Sequence, residues 1–238
     1  MSNSSPQIPE FDRFATDYDR ALAEGISVSG EDKDYFANGR VEWLAGCLHK
    51  LGCHPKTVLD YGCGTGSATP FLARSLSFDS LVGVDVSVQS LVVARQQHGS
   101  PQVKFTSVND YKPAGSVDLV FCNGVFHHIP PKDRHDAVKF IHASLKPGAF
   151  FSFWENNPWN PGTRYVMSRI PFDRDAITLS PPEARRLLRA GGFEIVRTDF
   201  LFWFPRFLSW FRRLEKLLSP LPMGAQYHVL CRKPHNRG

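Results

Sequence analysis

Residues 57–66, Thr57-Val58-Leu59-Asp60-Tyr61-Gly62-Cys63-Gly64-Thr65-Gly66, run straight into Ser67-Ala68-Thr69-Pro70-Phe71-Leu72-Ala73-Arg74-Ser75-Leu76. The first six residues have the apolar content and length of a strand, and the last ten have helical character. Between them the glycines let the backbone turn sharply and approach a ligand closely. The helix behind the turn offers free N–H groups and the positive end of its dipole. A strand, a glycine-rich turn and a helix start, in that order, make a cradle for a polar or anionic group.

The same alternation continues outward. Apolar runs at 57–62, 81–86, 103–108, 117–123 and 149–155 read as strands, each bounded by turn residues and separated from the next by segments of helical period. Ser87 is placed to cap a helix through Gln97. Pro130-Pro131 fits the first turn of a helix running to Leu145, which Lys146-Pro147-Gly148 stops. Beyond it, Pro181-Pro182-Glu183 opens a helix that Gly191-Gly192 closes. Residues 193–204 and 226–232 read as two further strands joined by a helix over 205–220, an arrangement that suits a reversed last strand at the sheet edge. The expected fold is therefore α/β: a doubly wound, mostly parallel seven-stranded sheet with helices on both faces and an antiparallel last strand. One domain is expected over 1–238, with an N-terminal helical cap (1–40), a ligand-binding core (57–155) and substrate-side insertions (156–180 and 205–222).

Asp85, ending the second strand in Leu81-Val82-Gly83-Val84-Asp85-Val86, is placed to accept hydrogen bonds from both hydroxyls of a ribose. With the glycine turn it points to a nucleoside. The spacing G-x-G-x-G brings the third glycine one residue earlier than the nicotinamide fingerprint requires, which disfavours an oxidoreductase without removing it.

These segments resemble the class I methyltransferases that use S-adenosylmethionine, whose Rossmann-like fold carries a first motif like VLDYGCGTG and a second like VGVDVS. The resemblance extends from about Thr57 onward and includes Asn109-Asp110 after the third strand, DLVFCNGVFHHI around the fourth and LKPGAFF before the fifth. It implies that Gly62, Cys63 and Gly64 hold the methionine part of the cofactor, that Asp60 reaches its amino group, and that Asp85, with Val86 beside it, holds the ribose. Asn109 and Asp110 would meet the adenine, and Cys122 and Asn123 would line the methyl-donor side. Tyr18 resembles the aromatic residue that closes over the cofactor. Cys63 is otherwise a small filler, and Asn109-Asp110 equally suits a plain turn.

Methyl transfer is an in-line displacement in which positioning does most of the work, so a catalytic side chain is optional. Where the acceptor is a hydroxyl or an acidic carbon, His127 and His128 are the available bases. The fourth-strand segment lacks the Asn/Asp-Pro-Pro-Tyr/Phe pattern that goes with methylation of nucleobases. Acceptor contacts are expected from Asn156, Asn157, Trp159, Arg164 and Tyr165, although Asn-Pro and Pro-Gly also read as turns and IPFDRDA as a salt-bridged loop. Over 204–218, Phe204, Phe207, Leu208, Phe211, Leu214 and Leu218 fall at helical spacing beside Arg206, Arg212, Arg213 and Lys216. That stripe suits peripheral contact with a membrane or the entrance for an apolar substrate, or else packing on the sheet or a second subunit.

Composition sets the outer bounds. In 238 residues, 42% apolar and 21% charged is the balance of a globular domain with a full core. A net charge of +5 is too small to imply nucleic acid. Five cysteines without regular spacing suggest neither a disulfide framework nor a zinc site, so no metal is expected, and they read as reduced. The start, MSNSSPQIPE, lacks the order of a signal peptide, and no apolar run reaches the roughly 18 residues of a membrane span. The expectation is a cytoplasmic enzyme, peripheral to a membrane if the stripe faces lipid, that uses S-adenosylmethionine to methylate a small apolar or lipid-like molecule on oxygen or carbon. The alternatives are a nicotinamide-dependent oxidoreductase and a module that binds the cofactor without turnover. The oligomeric state is left open.

Overall fold

The computed structural model describes residues 24–173 and 176–235. Seven strands form one sheet: β1 (Thr57–Tyr61), β2 (Ser80–Asp85), β3 (Val103–Ser107), β4 (Val117–Asn123), β5 (Leu145–Asn156), β6 (Glu194–Leu201) and β7 (Gln226–Arg232). Their order is β3-β2-β1-β4-β5-β7-β6. The first five are parallel, and β7 runs antiparallel to both β5 and β6. Strand order reverses between β1 and β4, so a crevice opens beyond the carboxyl ends of those strands.

Helices cover both faces. On one face α1 (Lys33–Lys50), α2 (Thr69–Ser75) and α3 (Val88–His98) bury Val41, Leu44, Leu72 and Leu91 against Val58, Leu81 and Leu119. On the other, α4 (Arg134–Ser144) and α6 (Pro181–Ala190) bury Val138, Ile141, Ala184 and Leu188 against Val120, Phe151 and Val229. The helix starts carry local signals. Ser87 accepts a hydrogen bond from the Ser90 N–H at 3.1 Å, and Ser180 with Glu183 forms a capping box at the head of α6. Between β5 and α6 lie α5 (Pro161–Arg169) and a 3₁₀ turn, Pro171–Asp173.

Three expectations need correction. The helix expected from Pro130 begins at Arg134: the Asp133 N–H donates to the Pro130 carbonyl at 2.8 Å in a separate turn. The Arg134 guanidinium ties that turn down by donating to the carbonyls of Phe126 and Ile129. The strand expected to reach Phe204 ends at Leu201, because Phe202 adopts φ +60, a left-handed conformation that costs a non-glycine residue about 1–2 kcal/mol. That cost is offset where the Phe202 ring packs on Tyr35 and Phe36, with centroids 5.9 and 5.0 Å away. Finally, 205–220 is not one α-helix. It is a 3₁₀ stretch, Arg206–Leu214, with Leu208 outside helical geometry, followed by the single turn α7 (Glu215–Leu218). None of residues 206–218 is buried, so that part of the stripe does not pack on the sheet. A helix without a buried face loses the main source of its stability. No described helix is long and apolar enough to cross a membrane.

Candidate functional site

Two cavities meet beyond the carboxyl ends of β1 and β4. The first, about 540 Å³, is walled by the turn after β1, the end of β2, Val108 and the residues after β4. Gly62 and Gly64 both have positive φ, +74 and +53, which the sharp turn out of β1 requires. A Cβ on Gly62 would strike Val125, whereas one on Gly64 would project into open space. Because Gly64 also lines the cavity, its backbone lies bare towards any occupant.

Asp60 lies on the same wall and is 2% exposed. Its Oδ2 is buried and has no hydrogen-bond partner, which is costly unless a ligand supplies a donor. Burial, reinforced by the charge of Asp85, pushes its pKa up to about 7. Asp85 is held differently: Oδ2 accepts from the Gly64 N–H and Oδ1 from the Ser87 N–H, both at 2.8 Å. Its carboxylate thus braces the glycine turn against the start of α3 while facing the cavity. Val86 lines the cavity beside it, as do Cys63 and Asn123. Burial raises the Cys63 thiol well above its ordinary value, so it acts as a filler rather than a nucleophile.

Cys122 is a correction: it is fully buried in the core on the other side of β4, since alternate residues of a strand face opposite ways. Asn109 and Asp110 stand exposed just past the wall formed by Val108. There they make a turn, with the Asp110 N–H donating to the Ser107 carbonyl. Tyr18 lies outside the described residues.

The second cavity, about 440 Å³, adjoins the first and shares Ser67, Asn123, Gly124 and His128 with it. Its wall is largely apolar, with Phe36, Val166, Met167, Phe202 and Phe204, and it carries polar groups from Arg40, Asn156 and Gln226. Of the expected acceptor contacts, Asn156 and Tyr165 line it. Asn157 does not: it is fully buried and donates to the carbonyls of Pro222 and Gly224 as a staple between loops. Trp159 and Arg164 also fall outside the wall and are exposed, on the outer side of this segment.

The paired histidines have different surroundings. His127 is buried, with Nδ1 2.5 Å from Glu155 Oε2 and Nε2 3.5 Å from Asp173 Oδ1. Burial works against its charge, but the field of Glu155 and the hydrogen bonds to Asp173 and Glu155 prevail and push its pKa up to about 10. Held between two carboxylates, His127 favours its protonated form, which stands against a general-base role for it. His128 is less buried and lies on the wall common to both cavities.

Several wall residues carried no local signal. Arg40, in α1, donates to Gln226 Oε1 at 2.9 Å across 186 residues of sequence. Glu155 and Asp173 reach the histidines from the end of β5 and from the 3₁₀ turn. Only the sheet order brings these groups together.

Comparison with known proteins points in one direction. A family model described as a methyltransferase domain matches residues 59–151. The chain is 28% identical over 121 residues to a trans-aconitate 2-methyltransferase of Rhodopseudomonas palustris, covering 50% of this chain and 46% of that one. It is 29% identical over 204 residues to a ubiquinone biosynthesis O-methyltransferase of Idiomarina loihiensis, covering 79% of each. The chain spans about half the length of the trans-aconitate relatives it matches. Among solved structures, a SAM dependent methyltransferase from Archaeoglobus fulgidus superposes with a TM-score of 0.59 at 17% identity, over 81% of this chain and 94% of that one. At that identity the likeness speaks for the fold.

Proposed function

We propose, for a chain that belongs to the class I S-adenosylmethionine-dependent methyltransferases, that it transfers a methyl group to a small molecule with an apolar body. The observation that carries this reading is the contact between two cavities through Ser67, Asn123, Gly124 and His128, which suits a donor held beside an acceptor. Two features of the first cavity fit the cofactor. One is the buried Asp60 oxygen without a partner, suited to an ammonium. The other is the bare backbone at Gly64, where any side chain would take ligand space.

When bound, the cofactor supplies an electrophilic methyl group on a sulfonium. Asp60 would accept from the amino group, and Asp85 from the ribose hydroxyls. Val86 and Val108 line the wall where the base would lie. Asn123, Gly124 and His128 stand on the wall between the cavities, where donor and acceptor would meet. Holding both reactants in line supplies most of the acceleration.

The acceptor side favours a lipid-like molecule at a membrane surface. Phe207 lines the second cavity and is also 77% exposed, so the cavity opens among the aromatic residues of 206–218. Trp210, Leu214 and Leu217 are exposed there too, beside exposed Arg206, Arg213 and Lys216. Arg212 is not part of that face: it donates to Glu31 Oε1 at 2.8 Å and lies over the Tyr35 ring. Exposed aromatic and basic residues around a cavity mouth match an anionic bilayer.

Incubating the protein with methyl-labelled cofactor and a cell extract, followed by mass spectrometry, tests the activity and names the acceptor. Cofactor binding without label transfer to any component would leave the non-catalytic reading in its place. Flotation with anionic vesicles tests the surface: the parent should float at low salt and less at high salt, and Phe207→Ser with Trp210→Ser should stay behind. A parent that never floats would refute the membrane contact.

A further inference from the structure

His127, His128 and Asp173 are on the wall of the second cavity, next to the wall it shares with the first. One ligand atom from each, two imidazole nitrogens and a carboxylate oxygen, lies within 4.8 Å of the others. The separations are informative. Asp173 Oδ1 is 3.5 Å from His127 Nε2 and 3.3 Å from His128 Nε2. Both are ion-pair contacts at the long end of hydrogen-bond reach. Two ligands each about 2.1 Å from a tetrahedral ion stand about 3.4 Å apart, which matches both distances.

The surroundings orient the set. Glu155 Oε2 faces Nδ1 of His127 at 2.5 Å, so the Nδ1–H donates to a buried carboxylate and the Nε2 lone pair turns towards Asp173 and His128. A carboxylate behind a histidine ligand is the usual device for fixing its tautomer and strengthening its donation to a metal. Glu155 is itself fixed, because its Oε1 accepts from the Phe126 N–H at 2.7 Å. The two imidazole rings lie 4.0 Å apart, centre to centre, so one ring nitrogen of each can reach a shared point. Glu155 and Asp173 together carry the negative charge that balances a divalent ion.

We propose that His127, His128 and Asp173 bind a divalent first-row transition-metal ion, with Glu155 as the positioning residue behind His127 and the remaining coordination positions open to the second cavity. Two histidines and one carboxylate with open positions suit zinc, iron(II), manganese or cobalt rather than calcium or magnesium. The ion's role rests on the methyl-transfer reading; its binding does not. A hydroxyl or carboxyl oxygen of the acceptor, held at an open position, gives up its proton to water more readily. Its lone pair then forms the new O–C bond while the electrons of the breaking C–S bond pass to sulfur. The acceptor is thereby narrowed to an oxygen nucleophile.

The full chain, treated with a chelator and dialysed, is titrated with Zn²⁺ by calorimetry and with Co²⁺ by visible absorbance. The expected result is one equivalent bound, with the Co²⁺ spectrum of a four- or five-coordinate site. Asp173→Asn and His128→Gln should each weaken binding by about tenfold or more. Cys47→Ser, in the separate cluster of Cys47, Asp199 and His228, should leave it unchanged. Failure of the parent to take up a stoichiometric ion overturns the proposal whether or not any variant folds. Variants that fold, by circular dichroism, and bind as the parent does overturn it equally. S-adenosylmethionine binding to the metal-free protein is measured alongside, so loss of the metal site and loss of the methyl-transfer reading give separate results.

Discussion

Asp60 offers the sharpest test of the cofactor cradle. Its carboxyl is 2% exposed, its Oδ2 has no partner, and burial with the nearby charge of Asp85 holds its pKa at about 7. A cofactor ammonium brought to that oxygen favours the ionised form, so binding expels whatever proton the carboxyl carries. The apparent affinity is reduced by the factor 1 + 10^(7 − pH), about 11 at pH 6 and about 1.3 at pH 7.5, so affinity should rise about eightfold across that interval. Asp60→Asn removes the titrating group and with it this slope. It also removes a charge-assisted contact, a loss of about 1.5–3 kcal/mol, or roughly ten- to a hundredfold in affinity at pH 7.5. The ligand's own amine titrates alike with both proteins, so the difference in slope isolates Asp60. Titration calorimetry at both pH values, in two buffers of different ionisation enthalpy, gives the affinity and counts the protons released. Equal slopes for parent and Asp60→Asn, or no proton released at pH 6, would refute the reasoning.

Asp85→Ala should weaken cofactor binding by more than tenfold and also lower the melting temperature, because two backbone N–H groups lose their acceptor; a melt identical to the parent's would deny Asp85 its bracing role. Gly64→Val meets no clash, but a branched residue at φ +53 is strained and fills the cradle, so calorimetry should detect no binding; parental affinity would take the glycine turn out of the site. His127→Ala in metal-free protein takes the buried partner away from Glu155 Oε2 and one of two imidazoles away from Asp173, at a cost of about 3–5 kcal/mol that a thermal melt reads directly. Folding raises the proton affinity of His127 from 6.5 to about 10, so its contribution is full below pH 6.5 and drains away as pH climbs towards 10. A metal-free parent whose stability relative to His127→Ala is flat over that range would contradict the assignment of charge.

What could be read from the sequence and what could not divides along sequence distance. The seven strands were legible because a buried parallel strand must be a short apolar run between turns, whatever it pairs with. The cradle was legible for the same reason: Asp60, Gly62, Gly64 and Asp85 all sit at strand ends, and the topology carries every such end to one edge. Helical spacing was less informative. Six apolar positions between Phe204 and Leu218 keep a helical period, yet none of them is buried, and most of the backbone forms 3₁₀ turns instead. Spacing shows where a helix would be amphipathic; only packing decides whether it forms. The second cavity was hidden because its wall joins Arg40 to Gln226 and the histidine pair to Asp173, with Glu155 behind His127, contacts that exist only once β5, β7 and the turn before α6 are in place. His127 and His128 are adjacent and identical in type, so no local pattern could tell them apart. Two carboxylates arriving from elsewhere in the chain make one of them a buried cation in metal-free protein and leave the other at the meeting of the two cavities. On the proposed reading, residues outside the glycine-turn motif set the chemistry open to the acceptor, and Glu155 and Asp173 are the positions where substitution should change that chemistry while leaving the cradle intact.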